Sequence, residues 1–165
     1  MKKLITFFIA FTLLSCNDGD FDIPDFEFTE DINSCGETIL YRLNSGSTEV
    51  IILQLSESDL GTTVGEKSYE ISTTQNVIYR IFDDAIDSDY FCQEIPPATP
   101  QVLKELEAES GTIVINTIAI VDDENEDENE EEEIIGYTYE ITISDLLFLD
   151  DNDRIFFETF YFGTK

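Results

Sequence analysis

The chain predicts an all-β fold, an antiparallel β-sandwich of about eight strands behind a disordered N-terminal stretch. Three observations carry this expectation. Apolar residues recur at every second position through most of the chain after residue 38, which is the pattern of strands with one buried face. β-branched and aromatic side chains dominate those segments, as half-buried pleated strands favour. No long stretch keeps the period of roughly 3.6 residues that marks an amphipathic helix.

Taken in order, Ile39, Tyr41 and Leu43 alternate with more polar neighbours, then Ile51, Leu53 and Leu55, then Tyr69 and Ile71. Residues 77–82 form a stiff apolar run broken by Arg80. Ile135, Tyr137, Tyr139, Ile141 and Ile143 face opposite Gly136, Thr138, Glu140 and Thr142, and a last strand carries Phe156, Phe160 and Phe162. Ser45-Gly46-Ser47 and Asp150-Asp151-Asn152-Asp153 have the small and Asx residues of turns. One segment has two readings. Thr99-Pro100 can cap and open a helix through Val102, Leu103 and Leu106 to Gly111. Alternatively the same residues form a strand that turns at Ser110-Gly111 into 112–121 as a hairpin. The strand is preferred, because the segments around it are all β.

The first residues follow a different logic. Lys2 and Lys3 precede an apolar core, residues 4–14, interrupted only by Thr6 and Thr12. That core is too short to cross a bilayer, which needs about 20 residues, and it has the layout of a cleavable secretory signal. Leu13-Leu14-Ser15-Cys16 resembles the lipobox of bacterial lipoproteins. The resemblance implies that residues 1–15 are removed, that Cys16 carries a diacylglycerol thioether, and that its new amine is acylated. Two such chains suffice for stable membrane attachment. Residues 16–32 then read as an acidic tether, with 33–165 as the folded domain. Behind the cysteine, Asp18, Asp20 and Asp22 are similar to the acidic tag that directs some gram-negative lipoproteins to the cell surface. A plain spacer explains them as well, because so polar a segment cannot bury enough apolar area to fold alone. The implied location is the cell envelope, lipid-anchored in the outer membrane, on its periplasmic face or at the cell surface.

Composition narrows the partners. The chain has 37 acidic and 8 basic residues and a formal charge of −29, and loss of Lys2 and Lys3 makes it more negative still. Nucleic acid is excluded, since its binding needs a basic footprint. Anionic headgroups would repel the domain, leaving cations and basic or neutral envelope components as partners. Acidity of this degree also serves solubility alone. With Cys16 lipidated, Cys35 and Cys92 remain, and an even pair in an exported protein predicts a disulfide. The bridge would close a long loop and contribute roughly 4 kcal/mol on the chain-entropy model. Two unpaired buried thiols are the alternative.

Two further resemblances concern the residues around Cys92. Tyr90-Phe91-Cys92 resembles the tyrosine corner of immunoglobulin domains, where a tyrosine stands two residues before the second bridged cysteine. The chain departs from that family in having no tryptophan and in placing several strands after Cys92. Cys35 together with Tyr90-Phe91-Cys92-Gln93-Glu94-Ile95-Pro96-Pro97 is similar to a group of small envelope lipoproteins, a resemblance that implies location and no activity.

Catalytic devices are scarce. The absence of histidine removes Ser-His-Asp and Cys-His nucleophile systems, histidine-based zinc hydrolysis and the usual proton shuttle near neutral pH. The eight glycines form no phosphate-binding loop. Paired carboxylates can hydrolyse glycosides, but nothing marks two of the 37 as special. No cofactor is expected. The most distinctive segment is 122–133, in which ten of twelve residues are acidic. Set between two β segments, it should form a solvated hairpin tip, its charges repelling one another. Asp122, Asp123, Glu124, Glu126, Asp127 and Glu128 offer weak oxygen ligands for a hard cation such as calcium. The run lacks the glycine and spacing of a shaped calcium loop, and Asp150-Asp151-Asn152-Asp153 fails the same pattern at Arg154 and Ile155. The leading reading is a non-catalytic, lipid-anchored binding or structural protein of the envelope. A cation-dependent adhesion or scaffold module using the acidic loop is the second, and a small carboxylate-based glycan-active enzyme the third.

Overall fold

Alternation makes a segment able to form a strand, but pairing decides the architecture. The protein's computed structural model describes residues 27–28, 31–93, 95, 97–122, 133–151 and 153–165. Within them are eight strands: β1 (Asn33–Cys35), β2 (Ile39–Leu43), β3 (Glu49–Gln54), β4 (Gly65–Glu70), β5 (Asn76–Phe82), β6 (Val102–Val121), β7 (Ile134–Asp150) and β8 (Asp153–Thr164). Every pairing is antiparallel. The strands form one connected sheet in the order β1-β2-β3-β5-β6-β7-β8, with β4 paired to β6. The all-β, antiparallel fold of eight strands predicted from the alternation is therefore present.

Local chemistry explains the first hairpin. The Asn44 side-chain oxygen accepts the N–H groups of Thr48 and Glu49 at 3.0 and 3.2 Å, tying the turn that links β2 to β3. The turn demands a left-handed residue, which here is Ser47 with φ +54°. β3 itself is buried on both faces, from Val50 through Leu53, so its sequence is a continuous apolar run rather than an alternation.

The segment from Val102 to Val121 departs from expectation. It is one strand of 20 residues, neither a helix nor a hairpin turning at Ser110-Gly111. The hairpin reading fails because Gly111 does not reverse the chain. It marks a bend, with register shifts on either side of Ser110. Bulges of this kind curve a strand without ending it. On one edge, β4 and β5 lie end to end along β6, running from Gly65 opposite Thr117 to Phe82 opposite Val102. The gap between them, Ser72–Gln75, falls beside the bend, and Ile71 still donates its N–H to the Gly111 carbonyl at 3.0 Å.

The bent sheet encloses its core. Leu40, Ile51, Leu53, Val77 and Tyr79 from one half meet Ile113, Ile115, Ile141, Ile143, Phe148, Phe160 and Phe162 from the other in a single apolar cluster. Burial of each such side chain contributes about 1.5–3 kcal/mol. A second cluster lies on the far face of β2, β3 and β5. Tyr41, Leu43, Val50, Ile52, Ile78 and Phe82 are covered there by Ile86 and Tyr90 from the excursion that follows β5. Cys35 and Cys92 are bridged, with Cα atoms 5.0 Å apart and 57 residues between them in sequence, which pins that excursion to β1. Tyr90-Phe91-Cys92 is a 3-10 turn rather than a strand, so the likeness to an immunoglobulin tyrosine corner ends at the local spacing. Tyr90 stacks edge-on against Phe82 and Phe91 instead.

The chain also joins the folded body before residue 33. Phe28 is buried in the main cluster, edge-on to Tyr79 and Phe160.

Gly111 gives a direct test of the bend. Its φ is +153°, and a Cβ there would meet the Leu146 Cα and the Ser144 carbonyl oxygen at 3.3 Å each. Gly111→Ala should therefore cost about 1–3 kcal/mol of stability. Urea unfolding of the variant with an unchanged midpoint would show that the bend does not need glycine.

Candidate functional site

Two places in this fold combine accessible surface with distinctive chemistry: the far end of the β6–β7 hairpin, and the seam where the two ends of the bent sheet meet.

At the hairpin end, β6 and β7 are longer than their neighbours. β4 stops at Gly65, opposite Thr117. β8 stops at Thr164, opposite Glu140, and the reciprocal backbone bonds of Lys165 with Tyr139 extend that edge by one residue. Past these points the described strands pair only with each other, from Ile118 opposite Thr138 to Val121 opposite Ile134. The Asp122 N–H donates to the Glu133 carbonyl at 3.0 Å, so the two ends of the acidic run face each other across the hairpin, as predicted for a tip. Of the cation candidates, Asp122 is described, while Asp123, Glu124, Glu126, Asp127 and Glu128 lie outside the described residues. Among the described residues no group of three carboxylate or cysteine side chains is placed to hold a metal ion.

At the seam, Arg42 of β2 does the joining. Its Nη1 donates to the Phe162 carbonyl of β8 at 2.9 Å, and its Nη2 donates to the Phe28 carbonyl. A guanidinium suits this task because its rigid fork can serve two oxygens at once. Gly163 allows the close approach: a Cβ there would stand 2.9 Å from Ile32 Cδ1. A cleft of about 280 Å³ opens beside it, lined by Asp31, Ile32, Arg42, Tyr161, Gly163 and Thr164. Tyr161 and Thr164 bond through their hydroxyls at 2.7 Å, so the cleft's polar groups are largely engaged with the protein itself. The sequence marks Arg42 only as a lone cation inside an apolar strand. Its two acceptors stand at far-separated positions, and nothing local announces them.

Cys35 and Cys92 come together as expected, and the excursion they hold carries Asp83, Asp84, Asp87 and Asp89. Tyr41 donates its hydroxyl to the Ser88 carbonyl, and its ring lies 4.9 Å from that of Phe91. Burial, with the Asp89 carboxylate adding to it, raises the Tyr41 phenol above its ordinary range. The expected signal 1–15, Cys16, and residues 17–26 and 29–30 of the expected tether lie outside the described residues. No described helix is long and apolar enough to cross a membrane. No family model, curated protein or solved structure matches the chain.

Arg42→Met keeps the aliphatic stem and removes the fork. Two partly buried carbonyls then lose a charged donor, which should cost about 1–3 kcal/mol. Hydrogen exchange should quicken first at residues 31–32 and 160–163. Uniform exchange with unchanged stability would show that the seam closes without the arginine.

The acidic tip makes a prediction of opposite sign. Val121 and Ile134 are partners, so deleting 122–133 and closing with Asn-Gly matches the geometry of a two-residue hairpin turn. The fold should persist and melt slightly higher at low salt, because exposed like charges repel and are screened over about 8 Å at physiological ionic strength. The gain should shrink as sodium chloride is added. A calcium-specific rise in the wild type at matched ionic strength, absent in the deletion, would instead establish a cation site in the loop.

Proposed function

We propose that this chain is a lipid-anchored protein of the bacterial cell envelope whose β domain has a non-catalytic binding or structural role. The observation that carries the proposal is the N-terminal pattern: Lys2-Lys3, an apolar core over 4–14, and Leu13-Leu14-Ser15-Cys16. The Cys35–Cys92 bridge supports it independently, since structural disulfides belong to oxidising compartments outside the cytoplasm.

On this reading the bent sheet works as a sandwich-like scaffold, its two halves facing each other across the main core. The tether sets how far the scaffold can reach. Phe28 is locked in the core, so about a dozen residues separate the lipidated cysteine from the domain, a reach of at most roughly 40 Å. The domain then works close to the surface that holds it, while its acidity keeps it off anionic headgroups.

Cys16→Ser tests the anchor. Wild type should incorporate labelled fatty acid and partition into the detergent phase. The variant should incorporate none and leave that phase, because the lipid supplies the membrane affinity. Retention of the unlabelled variant in membranes would mean that residues 4–14 act as an uncleaved anchor.

A further inference from the structure

The excursion after β5 covers an apolar sheet face, and its tip is fastened by a bond that solvent can reach. Tyr41, Leu43, Val50, Ile52, Ile78 and Phe82 stand on the far face of β2, β3 and β5, where Ile86 and Tyr90 close over them with Phe91 alongside. Besides packing, the Ile86 N–H donates to the Ser47 carbonyl at 2.9 Å, Tyr41 donates its hydroxyl to the Ser88 carbonyl, and Cys92 is bridged to Cys35. The root of the excursion is closed separately. There the Asp83 N–H meets the Gln101 carbonyl at 3.0 Å, and the Gln101 N–H meets the Asp83 carboxylate at 2.8 Å.

The bridge joins two slight elements. Cys92 is exposed at the end of a single 3-10 turn, and Cys35 is half-buried at the end of β1. β1 has three residues and, among the described residues, pairs with β2 alone. Elements with so little burial and so few ladder bonds open first, and here each is steadied by the other through sulfur.

We propose that the bridge is a redox latch, opened by thiol–disulfide exchange at Cys92, which releases the excursion from the β2–β3–β5 face and leaves the main core folded. Exposed bridges are the labile ones, and Cys92 is the sulfur that an incoming thiolate reaches. Attack forms a mixed disulfide on Cys92 and expels the Cys35 sulfur as a thiolate, which takes a proton from water. The second thiol of a dithiol reductant then attacks its own sulfur in the mixed disulfide. That step expels the Cys92 thiolate and closes the reductant's disulfide, so two electrons pass from the dithiol to the bridge. Charge selects the reductant. Asp83, Asp84, Asp87 and Asp89 precede Cys92, Glu37 follows Cys35, and neither 33–38 nor 83–93 holds a lysine or arginine. A thiol bearing carboxylates is repelled here, and a neutral or cationic one is not. Once Cys35 is free, the excursion swings about its closed root at Asp83 and Gln101. The main cluster contains no side chain from the excursion, so its packing does not depend on the latch.

The test treats the full chain, as the cell makes it, with dithiothreitol under native conditions. Iodoacetamide labelling should gain two thiols over the untreated sample, at Cys35 and Cys92. Amide exchange at Ile86, Tyr90 and Cys92, all bonded in the closed form, should quicken roughly tenfold or more. Ile141 and Ile143, in the ladders between β6 and β8, should keep their protection. Chymotrypsin should cut after Tyr90 or Phe91 in the reduced protein only. Cys35→Ser/Cys92→Ser should match the reduced form without reductant, and the reduced wild type decides even where that variant does not fold. Per thiolate, cysteamine should open the bridge several-fold faster than mercaptoacetate at low salt, with the ratio falling as salt is added. A bridge that stays closed in the native protein, an excursion that exchanges no faster after reduction, or loss of β7 protection along with it would overturn the latch. Equal rates for the two thiols at low salt would overturn the choice of reductant. The thiols are counted as a gain over the untreated sample, so failure of the Cys16→Ser fractionation would refute the membrane reading and leave the latch standing.

Discussion

At Gly111 the backbone of β6 comes so close to that of β7 that a single added carbon would stand 3.3 Å from both the Leu146 Cα and the Ser144 oxygen. This side-chain-free contact lets a strand of 20 residues turn while keeping its ladder. Three partners depend on that strand, since β5 binds before the bend, β4 after it, and β7 along most of its length. The bend brings Tyr79 and Leu53 of one half into the same cluster as Ile143 and Phe160 of the other. Without it, a straight strand of about 65 Å would leave the two halves side by side with their apolar faces in water.

This dependence also explains what could be read from the sequence. The strands were legible wherever burial is one-sided: Ile141–Ile143 and Phe160–Phe162 alternate because a sheet face is a local property of the chain. The disulfide was legible from cysteine parity in a chain whose first residues read as a secretory signal. The bend was not, because a glycine in a strand, a turn and a bulge look alike until the register of the partner is known. β4 and β5 lying end to end on one edge of β6, Phe28 entering the core, and Arg42 closing the seam are all non-local. Each is decided by residues far away in sequence. The β segments on either side of the acidic run were legible and Asp122 and Glu133 meet across them, but the unflanked ribbon was not. Its signal is a difference in strand length, 20 and 17 residues against 6 and 12, which only the fold reveals.

A chain so acidic has few cations to spend, and where they go is informative. Arg80 pairs with Glu105 and Lys104 with Asp150. Both pairs are partly exposed, where such bridges contribute about 0–1 kcal/mol. Arg42 is placed differently. It donates to two backbone oxygens, at a seam where the sheet offers no ladder of its own. Its value is geometric, holding the start of the domain and the last strand to β2. If the tether leads to lipid, any pull on the domain arrives at Phe28 and is borne by this fork together with the ring contacts behind it.

The free edges complete the picture. β1 is three residues long and β4 carries Glu66, Lys67 and Glu70 across its six, which are two common ways of blunting an edge against unwanted pairing. The β6–β7 ribbon uses neither. It is long, rich in isoleucine and unflanked beyond Thr117 and Tyr139, the kind of strand pair that would otherwise stack on a copy of itself. Its protection is the acidic run at its end, and that protection is conditional. The like charge that each copy carries in 122–133 opposes the approach of a second copy. A device of this kind works through charge and so weakens as salt screens it, which a proline, a bulge or a covering loop would not.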